Sequence, residues 1–133
     1  MALLDESHLH HKTASQWMAR NAKSGWASCP LTQNGCLRIL SLSSYPNAQA
    51  TAVVADRLAE AMKTSFHEFW PDSISLLGAG VLRWDRVLTS RQITGTYLLA
   101  LAVANGGRLV TFDRGISIAA VSSTGATNLL VLS

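Results

Sequence analysis

Apolar residues recur with the period of an α-helix in three separate segments of the chain. These are residues 7–22, residues 50–62 and the segment that begins near Thr94. The third segment is apolar on most sides, which is typical of a helix buried against a sheet. Gly106-Gly107 follows it and predicts a left-handed stop, because glycine adopts positive φ without a steric penalty.

Short apolar runs between these helices predict β-strands at residues 26–29, 66–70, 109–112 and 129–132. The third run is expected to be central in the sheet, and the last is expected at an edge. Residues 72–91 form a long connection, for which a short helix is predicted at 73–77. Helices that alternate with short strands indicate a parallel sheet with helices on both faces.

The segment from Pro30 to Leu42 admits two interpretations. Asn34-Gly35 between apolar runs is the favoured sequence of a type I′ hairpin turn. Leu37 and Leu40 have helical spacing, however, and a proline is well suited to the first turn of a helix. These residues by themselves leave both interpretations open.

Composition and charge narrow the class of protein. At 133 residues the chain has the length of one domain, and 48% hydrophobic against 14% charged residues predicts a core plus a partner-facing surface. No apolar run has the length of about 20 residues that crosses a bilayer, and the first residues do not resemble a secretory signal. A formal charge of +3 permits nucleic-acid binding without requiring it. A cytoplasmic location is predicted, with Cys29 and Cys36 as buried reduced thiols.

Asp113 is the candidate for chemistry, since it directly follows the predicted central strand. Ligands of open α/β sheets bind at the carboxyl ends of the strands. The alternative is an acid that only caps or turns the chain after the strand.

Residues 91–102, Arg-Gln-Ile-Thr-Gly-Thr-Tyr-Leu-Leu-Ala-Leu-Ala, precede Asn-Gly-Gly-Arg-Leu-Val-Thr-Phe-Asp-Arg at 105–114. Together they resemble the C-terminal half of PIN-domain ribonuclease toxins of the VapC type, from bacterial toxin–antitoxin pairs. The resemblance implies one α/β domain over residues 1–133, with three α/β/α layers and a central, mainly parallel sheet. It also favours the helix for the segment that begins at Pro30, because residues 30–35 and 38–40 match a helix of the family. It also implies RNA cleavage with Mg²⁺ (or Mn²⁺) held by clustered acids, an antitoxin partner and a homodimer.

When the family's site residues are matched to positions of this chain, the resemblance implies an incomplete acidic site. Asp113 corresponds to the last family acid and metal ligand, and Thr111 to its hydroxyl neighbour. Gly95 stands where the family has an aspartate, and Gln33 stands where many members have a glutamate. Arg38 corresponds to a common family arginine. It and Arg91 are candidate phosphate-binding residues, with a solvated or structural role as the alternative.

The first family acid lies on a strand in the middle of the sheet, and the resemblance places that strand before Met1. Its loss would leave unpaired backbone groups on both neighbouring strands. Asp5 is not expected to substitute, because it lies about nine residues, or roughly 13 Å of helix, past the family acid. Weak or absent cleavage is therefore predicted. The alternative is a catalytically silent module that retains dimerisation or antitoxin binding. Apolar residues on two helices offer surface for this: Leu37, Leu40, Val53, Val54 and Leu58.

Three further features are weighed against plainer explanations. His8 and His11 share a helix face but have no third metal ligand, so solvent-exposed histidines are favoured. Gly78-Ala79-Gly80 lacks the context of a dinucleotide loop. The four tryptophans, at 17, 26, 70 and 84, could stack bases, although dispersed tryptophans are usually core or interface residues.

Overall fold

Four three-residue strands form two separate parallel pairs in the computed structural model, which describes residues 1–133. The chain divides into two units, residues 1–72 and residues 73–133. The elements in chain order are α1 (His11–Asn21), β1 (Trp26–Ser28), α2 (Pro30–Leu40), α3 (Thr51–Met62), β2 (His67–Phe69), α4 (Ile93–Ala104), β3 (Leu109–Thr111) and β4 (Leu129–Val131). The prediction of an α/β fold with parallel strands is confirmed. The prediction of one domain over the whole chain stays a prediction.

In the first unit, β1 pairs with β2, and Trp26 lies opposite His67. Its core contains Cys36, Leu40 and Val54, with Leu37 and Leu58 packed against them. Of the apolar positions proposed as partner-facing surface, Leu40 and Val54 are thus buried inside the unit, whereas Val53 is 47% exposed. Cys29 and Cys36 are buried free thiols, as predicted.

The helix is the correct interpretation of the ambiguous segment. Pro30 occupies its first turn, and the Thr32 hydroxyl accepts a hydrogen bond of 3.1 Å from the Cys29 amide, as in a capping box. Cys36 and Leu40, four residues apart, reach the same core. Burial of this face outweighs the local turn preference of Asn34-Gly35, which lies inside the helix.

In the second unit, β3 pairs with β4, and α4 supplies the centre of the core. The helix ends as predicted: Gly106 has φ +68°, and the Gly107 amide bonds to the Ala102 carbonyl at 2.8 Å. The short helix predicted at 73–77 is wrong. Ile74 and Leu76 both pack against the core, a spacing of two that suits extended chain. None of the helices in either unit is long and apolar enough to cross a membrane.

Residues before His11 form turns rather than the start of α1, and these turns bury Asp5. The Tyr45 hydroxyl donates a hydrogen bond to Asp5 Oδ2, and the Ser7 amide donates to Oδ1 at 3.0 Å. The bond from Tyr45 holds the pKa of the Asp5 carboxyl below its usual value. The same bond raises the pKa of Tyr45 to about 12. Through these hydrogen bonds Asp5 attaches the first turn of the chain to residues 45–47.

This pair predicts two pH limits on stability. Because the folded pKa of Asp5 is lowered, its contribution is present above the unfolded value of about 3.9 and is lost as the pH falls through the folded value. Because the pKa of Tyr45 is raised to about 12, its contribution is lost as the pH rises above the ordinary value of about 10. Urea unfolding midpoints measured against pH should fall in both ranges. Asp5→Asn should reduce the fall of the midpoint at acid pH, and Tyr45→Phe should reduce its fall at alkaline pH. If both variants show the same pH dependence as the wild type, the hydrogen bond contributes nothing to stability.

Candidate functional site

A tight turn after β3 carries Asp113. The Asp113 amide donates to the Thr111 hydroxyl at 3.0 Å, and Asp113 Oδ1 accepts from the Gly115 amide at 2.8 Å. Thr111 is half-buried at the end of the strand, while Asp113 is exposed. One carboxylate oxygen is thus engaged in the turn, and Oδ2 is the oxygen left to meet a ligand.

Gly95 lies beside this carboxylate. It is the third residue of α4, and a Cβ atom added to it would lie 3.8 Å from Asp113 Oδ2. The same Cβ would lie only 2.6 Å from Ile116 Cδ1 and 2.7 Å from Ile116 Cγ1, closer than carbon atoms pack. The structure thus brings Gly95 and Asp113 together, as the sequence predicted, and fills the position of a residue-95 side chain with Ile116.

Gln92 ties the start of α4 to the Asp113 turn. Its Oε1 accepts from the amides of Leu88 and Thr89 at 2.7 and 3.0 Å, and its Nε2 donates to the Gly115 carbonyl at 3.1 Å. The side chain therefore spans two loops and fixes the turn in which Asp113 sits.

Gln33 belongs to the first unit and takes part in a different network. Its Nε2 donates to the Ser28 hydroxyl at 2.9 Å, and that hydroxyl lies 2.7 Å from His67 Nε2. The network joins the end of β1, the start of α2 and β2. Because the amide nitrogen is engaged, the oxygen of Gln33 is the atom available to a ligand.

The two candidate arginines differ in their surroundings. Arg38 is exposed on α2 beside a shallow groove formed with Asn34, Leu37, Ser41 and Thr51. Arg91 is exposed in the 3₁₀ turn just before α4, next to Gln92. Of the predicted site residues, Gly95, Thr111, Asp113 and Arg91 thus lie in the second unit, and Gln33 and Arg38 lie in the first. The roles assigned to these residues stay predictions.

The donors present do not fit a firmly bound Mg²⁺. That ion takes oxygen ligands in near-octahedral geometry and is usually held by one or two carboxylates with help from substrate. Around the Asp113 turn there is one carboxylate with one oxygen engaged, and no group of three or more His, Cys, Asp or Glu residues could hold an ion. No chemical step is therefore assigned to a metal at this turn.

Sequence reasoning missed three polar residues that hold the candidates in place. Gln92 follows Thr89 by three residues, which is the spacing of a capping box and a usable signal. Ser28 and His67 gave no comparable signal, because their contact depends on the pairing of β1 with β2. They are 39 residues apart in the chain.

Comparisons with known proteins place the chain in a family. No family model and no solved structure matches the chain. Among curated proteins, Ribonuclease VapC44 of Mycobacterium tuberculosis is 42% identical over 132 residues, which is 99% of this chain and 93% of VapC44. Ribonucleases VapC39 and VapC29 of the same organism are each 37% identical, over 84% and 88% of this chain and 81% and 82% of their own lengths. Identity at this level over most of each protein shows that the chain belongs to the VapC ribonuclease family.

Proposed function

We propose that this protein is the toxin component of a toxin–antitoxin pair, an endoribonuclease by descent whose cleavage is weak or absent. The observation that carries the proposal is the packing of Ile116 into the position that a side chain at residue 95 would need, beside Asp113. The family resemblance assigns an aspartate to that position. Its absence leaves Asp113 without the second carboxylate that would help to hold Mg²⁺ or Mn²⁺ and activate water.

RNA as substrate, an antitoxin and a second copy of the chain as partners, and a cytoplasmic location belong to the same proposal. They follow from the family resemblance. A catalytically silent module that still binds antitoxin is the second candidate, favoured by apolar side chains left exposed in the first unit: Leu31, Leu42 and Val53.

Cleavage of an unstructured RNA by the purified protein, with Mg²⁺ or Mn²⁺ and with or without EDTA, tests the nuclease proposal. We expect a rate at least roughly 10–100-fold below that of VapC44 under the same conditions, because loss of even an outer-shell partner of a metal ligand costs about this much. Residual cleavage should disappear in EDTA and in Asp113→Ala. EDTA-sensitive cleavage as fast as that of VapC44 would overturn the depleted site. No cleavage above that of Asp113→Ala would favour the silent module.

A further inference from the structure

The net positive charge of this protein lies in its second unit. Residues 73–133 contain five arginines, two aspartates and no lysine or glutamate, which gives +3. Residues 1–72 contain six basic and six acidic residues and are neutral. All five arginines of the second unit are exposed. The unit that holds Asp113 therefore attracts polyanions, whereas the first unit has no net attraction.

Trp84 lies in this basic unit and differs from the other tryptophans. It is 49% exposed, whereas Trp17, Trp26 and Trp70 are each less exposed. It occupies a 3₁₀ turn, Trp84–Arg86, directly after Arg83. An exposed indole between two arginines combines a flat apolar face for a base with cations for the adjacent phosphates, the combination that binds single-stranded nucleic acid.

Hydrogen bonds hold the turn on both sides. On one side, the Arg83 amide bonds to the Ala120 carbonyl at 2.9 Å, and Arg83 Nη1 bonds to the Ala119 carbonyl at 3.0 Å. On the other side, Gln92 binds the Leu88 amide and the Gly115 carbonyl. Both anchors lie on residues 115–120, which closely follow Asp113. The Trp84 turn and the Asp113 turn are therefore attached to the same segment of the chain. Because the turn is already hydrogen-bonded in place, its backbone loses little conformational entropy when a ligand binds.

We propose that the turn formed by Arg83, Trp84 and Arg86 is a docking element for single-stranded RNA, with one base stacked on Trp84 and a phosphate beside Arg86. The proposal rests on RNA being the substrate class of this protein. Arg83 is committed to the Ala119 carbonyl and positions the turn. Arg86 is the cation free to meet phosphate, since its contact with Asp85 is 3.7 Å long and both side chains are exposed. Asp85 opposes RNA binding because its carboxylate partly neutralises the charge of Arg86.

Binding can be measured without cleavage. A fluorescent 12-nucleotide oligouridylate is titrated with the whole protein in EDTA, and a duplex RNA of equal length serves as the competitor. Trp84→Ala should weaken binding by about tenfold, the effect of losing one stacked base. Arg86→Glu should also weaken binding and reduce its salt dependence, while Asp85→Asn should tighten it. The duplex should compete poorly, because its bases are already stacked.

Lys63→Glu is the matched control for Arg86→Glu. It makes the same charge change at an exposed residue that is paired with an acid, but in the neutral unit. It should leave affinity unchanged. Equal affinity of Trp84→Ala and the wild type, with an unchanged circular dichroism spectrum, would overturn the proposal. So would equal weakening by Lys63→Glu and Arg86→Glu, since binding would then follow net charge alone. EDTA prevents metal-dependent cleavage, so this assay measures binding alone. If it fails, the proposed nuclease function is still tested separately by the cleavage assay.

Discussion

Gly95→Ala is expected to destabilise the protein in the wild-type background and to stabilise it when Ile116 is shortened to alanine. The added Cβ would lie 2.6–2.7 Å from two carbons of Ile116, which is 8% exposed and belongs to the core of the second unit. Overpacking of this kind costs about 1–3 kcal/mol. Replacing a helical glycine by alanine gains about 0.5–1 kcal/mol. The clash is the larger effect, so the net cost should be about 1–2 kcal/mol.

In Ile116→Ala both clashing carbons are absent. The helical gain then stands alone, and Gly95→Ala should raise the free energy of unfolding by about 0.5–1 kcal/mol relative to Ile116→Ala. Urea denaturation of the four proteins in this cycle measures the coupling, which should reach at least about 1 kcal/mol. Stabilisation by Gly95→Ala in both backgrounds would show that Ile116 moves aside freely.

The same cycle prepares a direct test of whether an acid at residue 95 would help to bind a metal ion. In Gly95→Asp/Ile116→Ala, a second carboxylate would stand beside Asp113, with its Cβ 3.8 Å from Oδ2. Two adjacent carboxylates repel each other and bind a divalent cation more tightly than one. We expect Mn²⁺ affinity, followed by calorimetry, to exceed that of the isosteric control Gly95→Asn/Ile116→Ala by roughly tenfold, about 1.4 kcal/mol. Equal affinities would show that residue 95 does not face the ion.

Leu99→Ala should lower the free energy of unfolding by more than Gly95→Ala does. Leu99 is 0% exposed and lies one turn after Gly95 on the same face of α4, in the core cluster that includes Ile116. Removing a fully buried leucine side chain costs about 2–5 kcal/mol. That is a large fraction of the total stability of about 5–15 kcal/mol of a typical domain.

The matched control is Leu77→Ala in the same unit, because Leu77 is 85% exposed. Its effect should stay within about 0.5 kcal/mol. Urea unfolding followed by circular dichroism measures both variants. A cost of under about 1 kcal/mol for Leu99→Ala, below the range for buried leucines, would mean that α4 is not the helix around which this core is built.

The elements of this fold were largely predictable from local sequence. The apolar segment that Gly106 ends predicted α4. Local sequence left α2 open between a helix and a hairpin, and the family resemblance favoured the helix that the structure shows. The approach of Gly95 to Asp113 was implied by the family resemblance, whereas the rule that ligands bind at the carboxyl ends of parallel strands pointed to Asp113 alone. The prediction of a helix at residues 73–77 was wrong, because Ile74 and Leu76 both pack against the core when the chain there is extended.

The contacts that fix the candidate site were not predictable in this way. Ile116 against Gly95, Gln92 against Gly115 and Ser28 against His67 each join residues that lie more than 20 positions apart in the chain. Sequence spacing sets which residues share a face of one element. It does not set which element packs against that face.

The sequence by itself determined the family pattern, the alternation of helices and strands, and a glycine at the position where the family resemblance implies an aspartate. These are encoded in residue identity, in period and in the conformational limits of proline and glycine. Only the tertiary structure decided that Ile116 fills the space that a side chain at residue 95 would need, and that Gln92 ties the start of α4 to the Asp113 turn. Both depend on long-range packing, in which the free energy of burying apolar surface selects among arrangements that the local sequence leaves equally open.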